Sequence, residues 1–462
     1  MDNNIKKGLI TVFSANIINL IFNLLTNFLL PKYLSFDSYA AIKTFQLYTT
    51  YIGVFALGCA DGMYLRYGGK KLDLIDQNEL KTGVGSFRIM MLIESLIFIP
   101  ISFIVQDKVL IAFSFTIMSM NITSYYKNLY QAVGEFKKYG KILNLTTIAT
   151  FLINMVLLFG LRSDDYFLYL IGYAVIDAGV WILLEINSSK ILSQTLNQKT
   201  SVSVKLLWDD TKSGFLLMVG NFSNILLSSM DRWFVKVMMD SAQFAYYSFA
   251  VSMEGFLNIA ITPITTTFYN YFCNHREVED VNRVRRYALL FGTVIVATAF
   301  PAKFIIEIFL VKYKESATVL FILFSAQILY VMIKGVYVNL YKAFKKQNLY
   351  FLRLVVVLII GVILNAVFVR IYSYKEAFAW GTLVSAFIWL LMCIFDFRQY
   401  SFELREWLYV LFEIFGFLAC GIAFPSVIGC VVYVTLTAIF MFLFMRREVM
   451  NLLSMAKSYC WH

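Results

Sequence analysis

The chain has 462 residues, of which 60% are hydrophobic and 17% aromatic. Soluble chains run about 45–50% apolar, so no water-soluble core could hold this much oily surface, and the composition excludes a soluble enzyme or binding module. The formal charge of +11 does not call for nucleic acid, because most of the 40 Lys and Arg residues fall in short breaks between apolar runs and no basic soluble domain is present to grip a polyanion.

Fourteen apolar stretches of about membrane length follow one another: 8–30, 38–60, 85–106, 109–130, 141–161, 165–187, 213–238, 242–270, 287–309, 316–340, 351–371, 376–397, 404–424 and 426–445. The fold class they predict is an all-α polytopic membrane protein. Lys6 and Lys7 precede the first stretch, which lacks a small-residue cleavage site, so a retained first helix with a cytoplasmic N-terminus is expected. Breaks after even-numbered stretches, among them GGKKLDLIDQNELK, GEFKKYGK, 188–212 and CNHREVEDVNRVRR, carry most of the Lys and Arg, which places them and both termini in the cytoplasm. The six cysteines form no CxxC and only His275 and His462 offer imidazole, so neither disulfides, a metal site nor a cofactor is expected.

The first stretch carries Asn16, Asn19, Asn23 and Asn27 at spacings of three and four. At 100° per residue these amides fall within about 80° of one another, so one helix face is polar. It is suited either to gluing helix to helix in lipid or to lining a wet cavity.

The chain contains an internal repeat. NLYQAVGEFKKY (128–139) and NLYKAFKKQNLY (339–350) match at an offset of 211 residues, which also pairs Asn154 with Asn365 and Asp165 with Glu376. At an offset of 205, Asn16, Asn19, Asn23, Thr26 and Asn27 pair with Asn221, Asn224, Ser228, Asp231 and Arg232 of the seventh stretch. Six helices are an even number, so both halves share one orientation, the parallel arrangement with which some transporters enclose a central site. The expected organisation is a lobe over 1–187, a cytoplasmic linker over 188–212, a second six-helix lobe over 213–397, and two further helices with a tail over 398–462.

An ionisable side chain at the middle of a spanning helix costs roughly 2.5–3.5 kcal/mol unless it meets water or a partner. The candidates are Lys43, Glu94, Asp177, Asp231, Arg232, Glu254 and Lys334 within the stretches and Asp61 and Arg66 at the inner end of the second, with Glu94, Asp177 and Glu254 the deepest. Lys43 and Arg232 have a second reading, in which long side chains snorkel to the interface. Tyr330, Tyr337 and Tyr341 stack on the tenth stretch, opposite Ser119, Tyr126 and Tyr130 of the fourth. Such a stripe is either packing or a wall of rings and hydroxyls facing a sugar. Pro100 and Pro301, inside the third and ninth stretches, each remove a backbone hydrogen bond and predict bends.

LLPKYLSFDSYAAIKTF, NLYQAVGEFKKYGKILNL, LLSSMDRWFV and ILNAVFVRIYSYKEAFAWGTLVSAF, in this order, resemble the polysaccharide-biosynthesis flippases of the Wzx or O-antigen type. These belong to the MOP superfamily, with the MATE exporters and lipid II flippases. The resemblance implies two six-helix lobes around a cavity open alternately to either side of a bacterial inner membrane. It implies transport of a polyprenyl-pyrophosphate-linked oligosaccharide to the outer leaflet. On that reading Lys43, Arg66, Arg232 and Lys334 meet the pyrophosphate, while Asn16, Asn19, Asn23, Asn27, Asn221 and Asn224 take sugar hydroxyls. Glu254, Asp61, Asp177 or Asp231 would bind H+ or Na+ as coupling ion, membrane lipid would surround the chain, and a polymerase or synthase could dock on its cytoplasmic loops. A MATE-like antiporter of small cations and a membrane-embedded polymerase are the alternatives. The polymerase fits less well, since no large outer loop, no DxD in a cytoplasmic segment and no histidine within a stretch is present to catalyse, so no enzyme is expected.

Overall fold

The computed structural model describes residues 3–192 and 202–460, and these are helical with no strand. Hydrocarbon offers backbone amides and carbonyls no hydrogen-bonding water, so short of a closed barrel a spanning chain satisfies them inside helices. Among the described residues eleven helices are long and apolar enough to cross a membrane, and the protein is a multi-pass membrane protein. The helices split into two compact units, Met1–Leu226 and Leu227–His462.

The first unit holds α1 (Asn3–Tyr33), α2 (Phe36–Thr50), α3 (Cys59–Tyr67), α4 (Gln77–Val105), α5 (Lys108–Ala132), α6 (Phe136–Met155), α7 (Tyr166–Leu192) and the N-terminal part of α8 (Val204–Met238). Its axis is α5, which packs against α2, α3, α4, α6 and α7. Small polar residues allow that crowding and satisfy themselves on their own helix: Thr116 donates to the Phe113 carbonyl at 2.7 Å and Asn121 to that of Ile117 at 2.9 Å. Local signals set the helix starts. Asp107 accepts from the Val109 amide at 2.7 Å to cap α5, and Ser35 accepts from the Ser38 amide at 3.2 Å to cap α2.

The predicted second stretch is not one helix. α2 ends at Thr50, a 3-10 turn covers Ile52–Ala56, Leu57 and Gly58 take φ of 47° and 81°, and α3 restarts at Cys59. Glycine suits this left-handed position, and the surroundings also demand it. A Cβ on Gly58 would lie 2.9 Å from Gly214 backbone, one on Gly62 1.9 Å from the Asp210 carbonyl oxygen, and one on Gly214 2.1 Å from the Gly58 oxygen. Gly58 and Gly62, one turn apart, are the small-residue face on which α8 lies against α3.

The second unit contains the rest of α8, then α9 (Ser241–Asn274), α10 (Val278–Val296), α11 (Ala299–Phe309), α12 (Ser316–Met332), α13 (Val338–Ala343), α14 (Gln347–Ile371), α15 (Glu376–Asp396), α16 (Leu404–Ala423), α17 (Ser426–Phe444) and α18 (Arg446–Cys460). α12 is buried on nearly all sides and packs against α9, α10, α11, α15 and α16. α5 and α12 are the partners predicted by the 211-residue offset, and each is the central helix of its own unit. Neighbours correspond as well, α4 and α7 flanking α5 as α10 and α15 flank α12.

The ninth stretch is broken between Val296 and Ala299, and Pro301 falls in the first turn of α11, where its missing amide hydrogen is no loss. Pro100 instead lies within α4, which continues to Val105. Two tyrosines of the stripe are held in packing contacts. Tyr337 and Tyr341 are buried, donating to the Tyr400 carbonyl at 3.0 Å and to Asp396 Oδ2 at 2.5 Å.

The tail is fastened by ion pairs. Arg285 and Glu406 meet at 2.7 Å with both side chains fully buried, and Arg286 joins Glu406 at 2.9 Å, Glu448 of α18 at 3.0 Å, and Glu403. Glu403 and Glu406 also form the capping box that starts α16.

Candidate functional site

Four of the ionisable residues singled out in the sequence converge in the second unit. Asp231 and Arg232 come from α8, Glu254 from α9, and Lys334 from the π turn Ile333–Tyr337 that interrupts the helix after Met332. A π turn swings the side chains after it to a new azimuth and frequently marks a functional position in a helix. On α9, Tyr247 and Glu254 are seven residues apart, two turns along one face. On the third wall Gln327, Tyr330 and Lys334 occupy one stripe by the same rule.

The contacts are polar throughout. Tyr247 donates to Asp231 Oδ2 at 2.6 Å, and the Arg232 backbone amide donates to Asp231 Oδ1 at 2.8 Å. Gln327 Nε2 donates to Glu254 Oε1. Lys334 Nζ lies 4.9 Å from the centre of the Tyr330 ring, which leans edge-on against Trp389 at 6.2 Å. Glu254 is electrostatically coupled to Asp231, Lys334 and Arg232. Neither Arg232 nor Lys334 makes a salt bridge among the described residues, and Arg232 Nε is buried without a hydrogen-bond partner. Two cations therefore stand in one membrane-embedded cluster, with Asp231 committed to a tyrosine and Glu254 to an amide.

The first unit treats its polar residues differently. Lys43 is 7% exposed and donates to Asn27 Oδ1 at 2.8 Å and Gln46 Oε1 at 3.0 Å, with the Tyr39 ring 5.2 Å away. The Asn27–Lys43 link spans sixteen residues, as does the Asp231–Tyr247 link, although the 205-residue offset matches Asp231 to Thr26 and not to Asn27. Of the asparagine stripe, Asn19 is buried, Asn16 and Asn23 are exposed, and the Asn27 amide also donates to the Asn23 carbonyl at 2.9 Å. Asn221 and Asn224 are exposed on α8. Asn221 approaches Asp61 Oδ1 at 3.5 Å, and Asn224 donates to its own helix at 3.0 Å.

Asp61 sits in the first turn of α3, beside the positive end of a helix that restarts within the span. Arg66 is held by two carboxylates, Glu79 at 2.9 Å and Asp210 at 2.6 Å. Asp177 is half-buried and attracted by Lys127 of α5. Arg66 thus has carboxylates in contact within the first unit, whereas Asp177 makes no salt bridge among the described residues.

Sequence reasoning passed over Asp210, Glu79, Tyr247, Glu185 and Asp396. The repeat held a signal for the last two, which are 211 residues apart. Glu185 accepts from Arg88 Nε at 2.8 Å and Tyr126 at 3.1 Å, and Asp396 accepts from Arg353 Nε at 2.8 Å and Tyr341. Tyr247 carried no signal, because one tyrosine among 29 becomes informative only once Asp231 is seen facing it. Among the described residues no group of three or more His, Cys, Asp or Glu side chains is placed to hold a metal.

No protein-family model matches the sequence, and no curated protein matches it. Solved structures do. The chain is similar to the lipid II flippase MurJ in an inward closed conformation, with 16% identity over 95% of this chain and 100% of that one and a TM-score of 0.69. It is similar to a multidrug resistance MATE family transporter of the MOP superfamily in an inward-facing conformation, with 13% identity over 84% and 98% and a TM-score of 0.56. It is also similar to a MATE protein in complex with MaD5, with 13% identity over 85% and 96% and a TM-score of 0.51.

Proposed function

We propose, from the premise that this chain has the fold of MOP-superfamily transporters, that it is a flippase. Its substrate would be a polyprenyl-pyrophosphate-linked oligosaccharide, moved from the cytoplasmic to the outer leaflet of a bacterial inner membrane for surface polysaccharide synthesis. Both termini then lie in the cytoplasm. The mechanism is alternating access, in which a membrane-embedded site opens to one side at a time.

One observation carries the reading: Arg232 and Lys334 lie inside a membrane-spanning bundle with no carboxylate among the described residues in salt-bridge contact. An unpaired charge in hydrocarbon is retained where it meets a mobile counter-charge. A pyrophosphate crossing unaided would meet a desolvation barrier of tens of kcal/mol by Born estimates, and cations with hydrogen-bond donors lower it. With both carboxyls ionised, Asp231 and Glu254 balance Arg232 and Lys334, and a proton on either carboxyl leaves a net positive cluster. Proton uptake at Glu254 would thereby favour the anionic headgroup, a coupling device made of side chains already present. The exposed Asn16, Asn23, Asn221 and Asn224 supply amides for sugar hydroxyls.

The test is reconstitution of the purified protein in vesicles carrying a fluorescent lipid-linked oligosaccharide, followed by quenching from the outer face. Translocation that falls at least tenfold in Lys334→Gln and Arg232→Gln supports the proposal. Translocation unchanged in both variants overturns the role of these cations. Uptake of a small organic cation in place of the glycolipid would favour the antiporter, and a polymerised product would favour an enzyme.

A further inference from the structure

Outside the duplicated helices a carboxyl is buried without a counter-charge among the described residues. Glu413 of α16 is 0% exposed, and its Oε2 accepts from Thr437 Oγ1 of α17 at 2.9 Å. Its Oε1 has no hydrogen-bond partner, although the Tyr409 and Tyr433 hydroxyls stand close to the carboxyl.

Where the hydroxyl protons go decides what this pocket can hold. The Thr293 hydroxyl lies 3.0 Å from the Leu290 carbonyl and 2.8 Å from the Tyr409 hydroxyl, and either hydroxyl can donate in the second contact. Tyr433 donates to the Thr293 carbonyl at 2.9 Å. Glu413 is therefore ringed by the hydroxyl oxygens of Tyr409, Tyr433 and Thr437 with no counter-charge among the described residues, and a buried carboxylate in such a ring is completed by something positive.

Among the described residues no side chain supplies that charge. Arg285 and Arg286 of α10 are engaged with Glu406, Glu403 and Glu448, and Lys303 of α11 donates to the Gly421 and Phe424 carbonyls and pairs with Glu307. α12 has no charged residue between Ser316 and Met332, and Cys420 is the other titratable group coupled to Glu413.

We propose that Glu413, Tyr409, Tyr433 and Thr437 form a binding site for one monovalent cation, a proton or a sodium ion, in the helices outside the repeat. Hard oxygen donors of this kind suit both: a proton would sit on Oε1 and donate to a phenolic oxygen, while sodium would draw on the carboxylate and hydroxyls together. The site is independent of the Arg232–Lys334 cluster and of the flippase reading.

The test uses the purified full chain in detergent and needs no transport. Thermal unfolding is followed while sodium replaces choline at constant ionic strength, and across a pH series without sodium, in the wild type and in Glu413→Gln. A sodium-dependent rise in Tm that Glu413→Gln abolishes identifies sodium. A pH-dependent rise abolished by the same variant, without a sodium effect, identifies the proton. Sodium and pH responses unchanged by Glu413→Gln overturn the proposal. Tyr409→Phe keeps the ring packing and serves if Glu413→Gln fails to fold: loss of one oxygen donor raises the cation concentration for half effect about tenfold, and an unchanged half-effect concentration overturns the proposal as well.

Discussion

The two units share a packing plan and differ in how they treat charge. In the first, Arg66 has Glu79 and Asp210, Arg88 has Glu185, and Lys43 is wrapped by two amides and a ring. In the second, carboxylates hold Arg285, Arg286 and Arg353 in the framework, yet Arg232 and Lys334 have no ion pair among the described residues. Helix packing constrains shape at every contact, whereas a polar position is free to diverge once its desolvation is met some other way. The paired carboxylates illustrate this. Glu185 and Asp396 occupy equivalent positions and each binds a tyrosine and an arginine, but Arg88 comes from the third span and Arg353 from the fifth.

The sharpest break in this comparison is expected at the fully buried Arg285–Glu406 pair. Removing one partner leaves an uncompensated charge, so Arg285→Ala should cost about 3–5 kcal/mol. Arg88→Ala, in a partly exposed pair, should cost about 1 kcal/mol. Thermal unfolding of both variants in detergent checks the ratio.

Next in size is the glycine contact of the first unit. Gly62→Ala would press a methyl against the Asp210 carbonyl, a backbone atom with no freedom to yield, and should destabilise by about 1–3 kcal/mol or more. Gly361→Ala in the second unit meets the end of the Met230 side chain, which can rotate, and should be nearly neutral. Chemical denaturation reads the difference.

The functional contrast follows. Lys334→Gln should lower glycolipid translocation at least tenfold, about 1.4 kcal/mol in the barrier, with little change in Tm. Lys43→Gln breaks a network that includes Asn27 and should lower Tm as well as rate. Equal effects of the two variants on both measurements would erase the distinction between the units.

The smallest effect concerns acid. Burial acts to raise the Glu403 carboxyl, but Arg286 and Arg405 outweigh it and hold the carboxyl below its ordinary range. A depressed carboxyl contributes stability above its unfolded pKa of about 4.3 and loses it as pH falls through the folded value. Because Glu403 is largely exposed, the contribution should stay below about 1 kcal/mol. Glu403→Gln should flatten the acid side of the stability profile by that amount.

Length, hydropathy and spacing determined the all-α membrane fold, the fourteen apolar stretches and the duplication. Each is a sum over many residues, set by the thickness of the hydrocarbon and the period of the helix. The cluster at Asp231, Arg232, Glu254 and Lys334 was legible in its members, because charge in an apolar run stands out one residue at a time. Only tertiary structure decided which charges remain unpaired: Asp210 is 144 positions from Arg66 in the chain, and no periodicity ties the two. It also decided that the second stretch breaks at Gly58, since that break is imposed by the backbone of α8 pressing on α3. Apolar counting registers how much oil a segment carries and is blind to what lies against it.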